Sequence, residues 1–519
     1  MVYDELIAQI QAGDIQTPEE LQRAKLSLCR KYGLQLPRNT DLLKLVKGPK
    51  PPLLIKKPSR TRSGVAPIAV MTSPARCPHG QCMYCPGGVS GGTPQSYTGR
   101  EPAAMRGEQW DFDPYRQTRA RLSQLTTMGH PTDKVDVIIM GGTFLARDPS
   151  YKVWFIKRCF DALNEMEATN LREAHTLNET ALHRCMGLVI ETRPDWCMER
   201  HVDEIIAMGG TRVEIGVQST IDRVLLQVKR GHTTKATIEA TQIAKDAGLE
   251  VGYHLMLGLP GSSPEDDIAS VRDVFEDPRF RPDSIKIYPT LVIKGTELYD
   301  QWKKGQYNAL GTEGAVDLIC EIKRVIPSWV RIQRIQRDIP APLIEAGVRH
   351  SNLRQLVLRR LADEGFRCRC IRCREVGHTN NSWDDSRLDM RVERYDASGG
   401  KEAFISLSPS PSSPPPPSSS PPPSSSSSGA LLAYARLRIP STKARMRDCA
   451  IIRGLHVCCP LIPPNKRHRE LGQLLVAKAE QIASEGGAER IMVMSGVGAR
   501  EFYRGLGYAS DGVYMSKIL

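Results

Sequence analysis

Short apolar runs rich in Val and Ile recur through the middle of the chain, at 65–71, 135–140, 187–190, 213–217, 251–257, 285–288 and 330–335. Longer stretches with helical periodicity separate them. Such alternation predicts parallel strands joined by helical crossovers, hence an α/β domain from about 65 to 340 built as an open or closed β/α barrel. A functional site in that architecture is expected at the C-terminal ends of the strands.

The ends of the chain follow other patterns. Thr17-Pro18-Glu19-Glu20 is a cap with proline at the first helical position, followed by Leu21, Ala24, Leu26 and Leu28, so residues 1–64 are predicted as a small helical lead-in. Residues 402–407 and 431–437 are predicted strands of one domain, 390–519, interrupted by a Ser/Pro tract at 407–429. That tract has too little apolar surface to offset its ordering entropy and is expected to be a disordered hairpin loop. A strand at 450–458, a basic turn at 464–469, a helix at 471–484 and a strand at 490–494 complete the prediction.

With 519 residues, the chain is too long for one core. No apolar run reaches membrane-spanning length. The N-terminus shows no signal-peptide pattern and the 14 Cys lie in local clusters, so a cytoplasmic location is expected, with metal or catalysis as the use of the thiols. The formal charge of +13 points to a polyanionic partner. Twelve Lys or Arg face six acids in residues 1–65, ending in Lys56, Lys57, Arg60 and Arg62, and a second basic cluster runs from Arg331 to Arg374. Both suit phosphate contacts that position a folded RNA.

Cys77, Cys82 and Cys85 are close enough for one loop to wrap an iron-sulfur cluster and leave one iron open. A structural zinc that also uses His79 is the competing reading. Gly141-Gly142-Thr143 follows the strand ending at Met140, Glu191 ends the next strand and Gln218 the one after, so all three signals fall on one rim. Cys368, Cys370 and Cys373 suit a thiolate-bound zinc, with His350, Cys320 or His378 as fourth ligand, or else are reduced thiols. The basic turn ahead of a helix containing Gly472 suits a diphosphate cradle. Cys458 and Cys459 read as buried thiols.

Cys77-x4-Cys82-x2-Cys85-Pro86-Gly87-Gly88, Gln95-Ser96-Tyr97-Thr98-Gly99 and Glu101-Pro102-x2-Met105-Arg106 closely resemble the catalytic subunits of Elongator, the tRNA uridine carboxymethyltransferases. The likeness continues through Arg372-Cys373-Arg374-Glu375-Val376-Gly377, Ser495-Gly496-Val497-Gly498, Tyr503-x2-Leu506-Gly507-Tyr508 and Gly512-x-Tyr514-Met515-Ser516-Lys517. It implies a partial radical S-adenosylmethionine barrel joined to a GNAT-type acetyltransferase domain, with residues 341–389 as a zinc-binding link. The cofactors would be a 4Fe-4S cluster on Cys77, Cys82 and Cys85, S-adenosylmethionine, acetyl-CoA and zinc on Cys368, Cys370 and Cys373.

By the same resemblance, an adenosyl radical takes hydrogen from the acetyl group of acetyl-CoA. The carbon radical adds to C5 of the wobble uridine in a tRNA anticodon stem-loop, and thioester hydrolysis gives 5-carboxymethyluridine. Gly141, Gly142, Thr143, Glu191 and Gln218 would contact S-adenosylmethionine. Arg467, Leu471, Gly472 and Gln473 would face the CoA diphosphate, with Tyr503 and Tyr508 near the thioester. An electron donor, and either a homodimer or an Elongator-like assembly, are the implied partners, although the Cys368 motif resembles stand-alone prokaryotic forms. Glu470 occupies the place of the first Gly in the acetyl-CoA motif, where its charge and Cβ are expected to weaken phosphate binding. The alternatives are a protein lysine acetyltransferase with the barrel as scaffold, or a non-catalytic tRNA-binding protein.

Overall fold

The computed structural model describes residues 2–48, 50–378, 387–410, 429–446, 448–459 and 466–519, with the side chains of Val2 and His378 left out. Its centre is a sheet of seven parallel strands: β1 (Ala66–Met71), β2 (Lys134–Met140), β3 (Arg184–Thr192), β4 (Arg212–Gln218), β5 (Glu250–Leu257), β6 (Ser284–Pro289) and β7 (Arg331–Arg334). They lie side by side in chain order, and β1 and β7 do not pair, so this is an open barrel. Every predicted strand run falls on one of them. Val and Ile take alternate positions on the face that the helices cover, such as Val135, Val137 and Ile139 of β2 and Val213, Ile215 and Val217 of β4, while the positions between them turn to the lumen.

The lead-in is helical as predicted. Thr17 caps the helix Pro18–Tyr32, accepting from the Glu20 N–H while the Glu20 carboxylate reaches back to Thr17 N. Leu6, Ile7, Ile10, Leu21, Leu42 and Leu43 form a small core of their own.

The C-terminal domain is a second seven-stranded sheet: β8 (Leu388–Ala397), β9 (Gly400–Pro409), β10 (Ala433–Ile439), β11 (Cys449–Val457), β12 (Arg490–Val493), β13 (Ala509–Asp511) and β14 (Tyr514–Ile518), in the order β8-β9-β10-β11-β12-β14-β13. Only β11 and β12 run parallel. The helix Lys466–Glu485 packs its apolar stripe on this sheet. The Ser/Pro tract begins later than expected, because β9 continues to Pro409. Its core, 411–428, lies outside the described residues, but the flanking strands pair antiparallel, Leu407 opposite Ala433. The domain's first strand starts at Leu388, two residues before the expected boundary. Of the basic turn expected at 464–469, residues 466–469 belong instead to the helix Lys466–Glu485, while 460–465 lie outside the described residues.

Buried charge joins the two units. Arg453 of β11 forms a two-pronged pair with Asp283, at 2.8 Å on each oxygen, and reaches Glu402 at 2.6 Å. Arg438 of β10 binds Asp246 through Nε at 2.9 Å and Glu402 at 3.0 Å. Lys245 lies 3.7 Å from Asp283, and Arg436 lies 3.3 Å from Glu250. Burial opposes ionisation of Asp283, yet Arg453, Lys245 and Arg436 hold its carboxyl well below the usual range. Gly496 and Gly498 press against β3, where an added Cβ would sit 2.0 Å from the Met186 carbonyl oxygen and 2.5 Å from Arg184 Cβ.

Candidate functional site

The cysteine loop leaves the C-terminal end of β1. Gly80 (φ +91°) turns it tightly, with its N–H on the Cys77 carbonyl, and Cys85 N–H bonds Cys82 O. A second loop, after the helix Asp222–Gln227, packs on it: Met83 N–H bonds Val228 O, and a Cβ on Gly231 would strike His79 Cβ at 2.8 Å.

Each thiol meets polar groups. Thr143 Oγ1 donates to Cys77 Sγ at 3.6 Å. Gln95 Nε2 donates to Cys85 Sγ at 3.3 Å, and Ser96 Oγ lies at the same distance. His79 Nε2 lies 3.2 Å from Cys82 Sγ, and Arg230 Nη1 lies 3.6 Å from it. Arg230 is buried and donates its other nitrogen to Gly216 O, but among the described residues it has no carboxylate partner. A buried guanidinium without a carboxylate suits a neighbouring anionic thiolate cluster. Burial first, then Arg193 and Arg230, push His79 down to about 4, so its imidazole is neutral near pH 7.

The predicted rim residues converge here. Gly141 (φ +129°) and Gly142 (φ +79°) follow β2 directly; a Cβ on Gly141 would strike Thr72 Oγ1, and one on Gly142 would lie 3.8 Å from Cys77 Sγ. Glu191 takes a hydrogen bond from Tyr97 OH at 3.0 Å and an ion pair from Lys286 at 3.4 Å. Gln218 ends β4 in a left-handed conformation (φ +72°). Gly216 makes room here, since its Cβ would fall 2.5 Å from Arg230 Nη2 and 3.0 Å from Gln218 Nε2.

Beneath this rim, the lumen carries charges absent from the expectations. Glu214 pairs with Lys286 and lies 2.9 Å from His254 Nε2, whose ring meets Tyr288 edge-on at 5.7 Å. Burial opposes its charge, but Lys286, His254 and Arg212 hold Glu214 well below the ordinary carboxylate range. The sequence did carry a signal: single charged residues inside otherwise apolar strands.

The thiols of Cys368, Cys370 and Cys373 meet in a separate place, within 4.8 Å of one another. Cys320 is not among them and donates to Val357 O at 3.8 Å. His350 is exposed, and the His378 side chain is outside the described residues.

In the C-terminal domain, Leu471 and Gly472 are buried on the helix Lys466–Glu485, where a Cβ on Gly472 would lie 3.1 Å from the Phe502 ring. Gln473, one residue on, is half-buried. Arg467 reaches Glu470 at 3.4 Å, so the unexpected carboxylate is partly neutralised by its own helix. Tyr503 is buried and meets Tyr508 edge-on at 5.8 Å, and Tyr508 OH donates to Glu480 at 2.9 Å.

A basic cleft of about 430 Å³ opens where Lys57, Arg60 and Arg62 of the lead-in meet Arg331, Arg372 and His456. No described helix is long and apolar enough to cross a membrane.

An open parallel barrel with a three-cysteine loop at its rim, followed by an acetyltransferase-type sheet, defines a radical S-adenosylmethionine enzyme fused to a GNAT domain. Family models agree: the Radical SAM superfamily matches residues 71–274, the Radical SAM C-terminal domain 282–363, the ELP3 N-terminal domain 1–62 and the Acetyltransferase (GNAT) family 424–508. The tRNA uridine(34) acetyltransferase of Methanocaldococcus jannaschii is 45% identical across 100% of this chain and 97% of that protein. Elongator complex protein 3 of Drosophila melanogaster is 40% identical across 100% of this chain and 96% of its own length. The solved structure of archaeal Methanocaldococcus infernus Elp3 with an N-terminal deletion superposes with a TM-score of 0.76 at 44% identity, over 88% of this chain and 99% of that one. The chain belongs to the family of Elongator complex protein 3 and the tRNA uridine(34) acetyltransferases.

Proposed function

We propose that the protein modifies the wobble uridine of tRNA, forming 5-carboxymethyluridine from acetyl-CoA. The carrying observation is the loop of Cys77, Cys82 and Cys85, with polar groups at each sulfur and a buried Arg230 beside it, set against Gly141 and Gly142 at the barrel rim. When bound there, a 4Fe-4S cluster and S-adenosylmethionine supply radical hydrogen abstraction.

The chain's own residues bind and orient. The Gly141-Gly142-Thr143 backbone approaches the methionine end of the sulfonium cofactor, and Glu191 and Gln218 contact its other parts. Lys286 and Tyr97 fix the Glu191 carboxylate, so its orientation is set before any ligand arrives. Arg467, Leu471, Gly472 and Gln473 hold the CoA diphosphate at the start of their helix, with Tyr503 and Tyr508 bordering the acyl end. The basic cleft takes phosphates of the anticodon stem-loop. Cys368, Cys370 and Cys373 hold a structural zinc. The enzyme works in the cytoplasm with an external electron donor.

Anaerobically reconstituted protein given S-adenosylmethionine, acetyl-CoA, a reductant and tRNA is expected to form 5'-deoxyadenosine and modified uridine, and Cys82→Ala to form neither. Wild-type protein that carries iron and sulfide yet never releases 5'-deoxyadenosine would sink this reading.

A further inference from the structure

One histidine of the C-terminal sheet meets a barrel carboxylate at the basic cleft. His456, on β11, has its Nε2 2.9 Å from an oxygen of Glu250, the first residue of β5. Its ring stacks on Tyr434 with centroids 4.7 Å apart and 22° between the planes. The imidazole lines the cleft with its side chain 34% exposed, against 10% for Glu250.

Glu250 is placed to accept a proton donor and hold it. Burial opposes its charge, but the bond from His456, Arg436 at 3.3 Å and Arg212 at 3.8 Å bring its carboxyl down to about 2. A fixed carboxylate selects the tautomer that carries its proton on Nε2, which leaves the Nδ1 lone pair as an acceptor. Among the described residues nothing bonds Nδ1. A carboxylate that orients a histidine in this way makes the other ring nitrogen a general base.

The strands bring that base to the acyl end of CoA. β11 pairs with β12 only as far as Ile452 opposite Val493, so residues 453–457 border an opening in the middle of the sheet. Leu455 turns to the helix Lys466–Glu485, 3.7 Å from where a Cβ on Gly472 would lie, and His456, next along the strand, turns to the barrel. A CoA chain held at Gly472 and passed through this opening delivers its thioester to the His456 side. Lys57, Arg60, Arg62, Arg331 and Arg372 line the same cleft, and their charge favours both an RNA phosphate and a tetrahedral oxyanion.

We propose that His456, oriented by Glu250, is the general base that hydrolyses the thioester joining CoA to the modified uridine. Nδ1 takes a proton from water as the water oxygen bonds to the acyl carbon. Collapse of the adduct breaks the C–S bond, and Nδ1–H returns its proton to the leaving sulfur, which yields the carboxylic acid and free CoA. His456 is then catalytic and Glu250 a positioning residue. The inference rests on the reaction proposed above and supplies the residue for its last step.

Full-length wild type, His456→Ala and His456→Gln are reconstituted anaerobically and given S-adenosylmethionine, a reductant, acetyl-CoA and tRNA. Mass spectrometry of the quenched reaction and of the digested RNA quantifies 5'-deoxyadenosine, 5-carboxymethyluridine and its CoA thioester. Both variants are expected to form 5'-deoxyadenosine in the first turnover and to accumulate the thioester, with conversion to the acid slowed about 100-fold or more, the usual worth of a positioned base. Added imidazole is expected to restore hydrolysis in His456→Ala, where the ring site is vacant. Glu250→Gln is expected to slow the same step with 5'-deoxyadenosine unchanged, a split that general destabilisation does not produce.

Acid formed at the wild-type rate in both His456 variants refutes the proposal and leaves the modification reaction standing. Product lost without thioester, or thioester that imidazole leaves intact in His456→Ala, refutes it equally. Loss of 5'-deoxyadenosine in the variants alone places His456 in the fold or in cofactor binding and overturns its role as base. Wild type that releases no 5'-deoxyadenosine removes the proposed reaction, and this step with it.

Discussion

Arg230 Nη1 lies 3.6 Å from Cys82 Sγ, and no other cationic side chain of the described residues hydrogen-bonds to the sulfurs of Cys77, Cys82 or Cys85. A fixed positive charge beside a cluster thiolate favours the more negative, reduced state. Arg230→Met is therefore expected to lower the reduction potential of the reconstituted cluster, and Arg230→Lys to recover part of the shift. Potentiometric titration followed by electron paramagnetic resonance reads this without depending on turnover.

Gly496→Ala is expected to destabilise the protein by about 1–3 kcal/mol, because its new methyl has nowhere to go but into the Met186 carbonyl. Thermal unfolding compared with Gly311→Ala, where an added Cβ meets nothing within 4 Å, separates this contact from a general loss of glycine.

Arg453→Met removes the two-pronged partner of Asp283 while leaving that carboxylate and Glu402 buried. A loss of about 3–5 kcal/mol in unfolding free energy is expected. Asp283→Asn combined with it should restore part of that loss in a denaturant melt, since the stranded charge is then gone.

Glu470→Gly tests the departure in the acetyl-CoA motif. Because Glu470 is partly exposed and already paired with Arg467, the electrostatic gain is small, about two- to fivefold in acetyl-CoA affinity, consistent with the worth of exposed ion pairs. Calorimetric titration that finds weaker binding in the glycine variant would show that Glu470 helps the cradle.

His175 gives a pH dependence. Burial, then Arg500, lowers its pKa from 6.5 to about 4, so the fold excludes a proton that the unfolded chain accepts. Its contribution is intact above pH 6.5 and drains as pH falls towards 4, at a slope of about 1.4 kcal/mol per pH unit for one site. His175→Phe should flatten that part of the stability curve, measured by urea unfolding between pH 7 and pH 4.5.

Much of this was legible in the residues. Val- and Ile-rich runs marked all seven barrel strands because every second position packs under the covering helices, and Thr17 with Glu20 marked a helix start through a local cap that needs no tertiary context. The glycines after β2 fell on the rim as expected. Arg436, Arg438 and Arg453 were illegible: an arginine in a strand ordinarily points to water, and only the docking of two sheets turns these three into a buried seam. Gly496 and Gly498 were visible as a motif, but their job, letting the C-terminal sheet touch β3, appears only once both domains are in place. Lys323 gave no signal, since nothing in a helix sequence says that its lysine will end among sulfurs over forty residues away.

Because Asp283 and Asp246 meet their arginines directly across the seam, at 2.8 and 2.9 Å, each half supplies charges the other must answer. Grafting the acetyltransferase half of a distant relative onto this barrel would strand those acids, so hybrids must carry both sides of the seam from one parent.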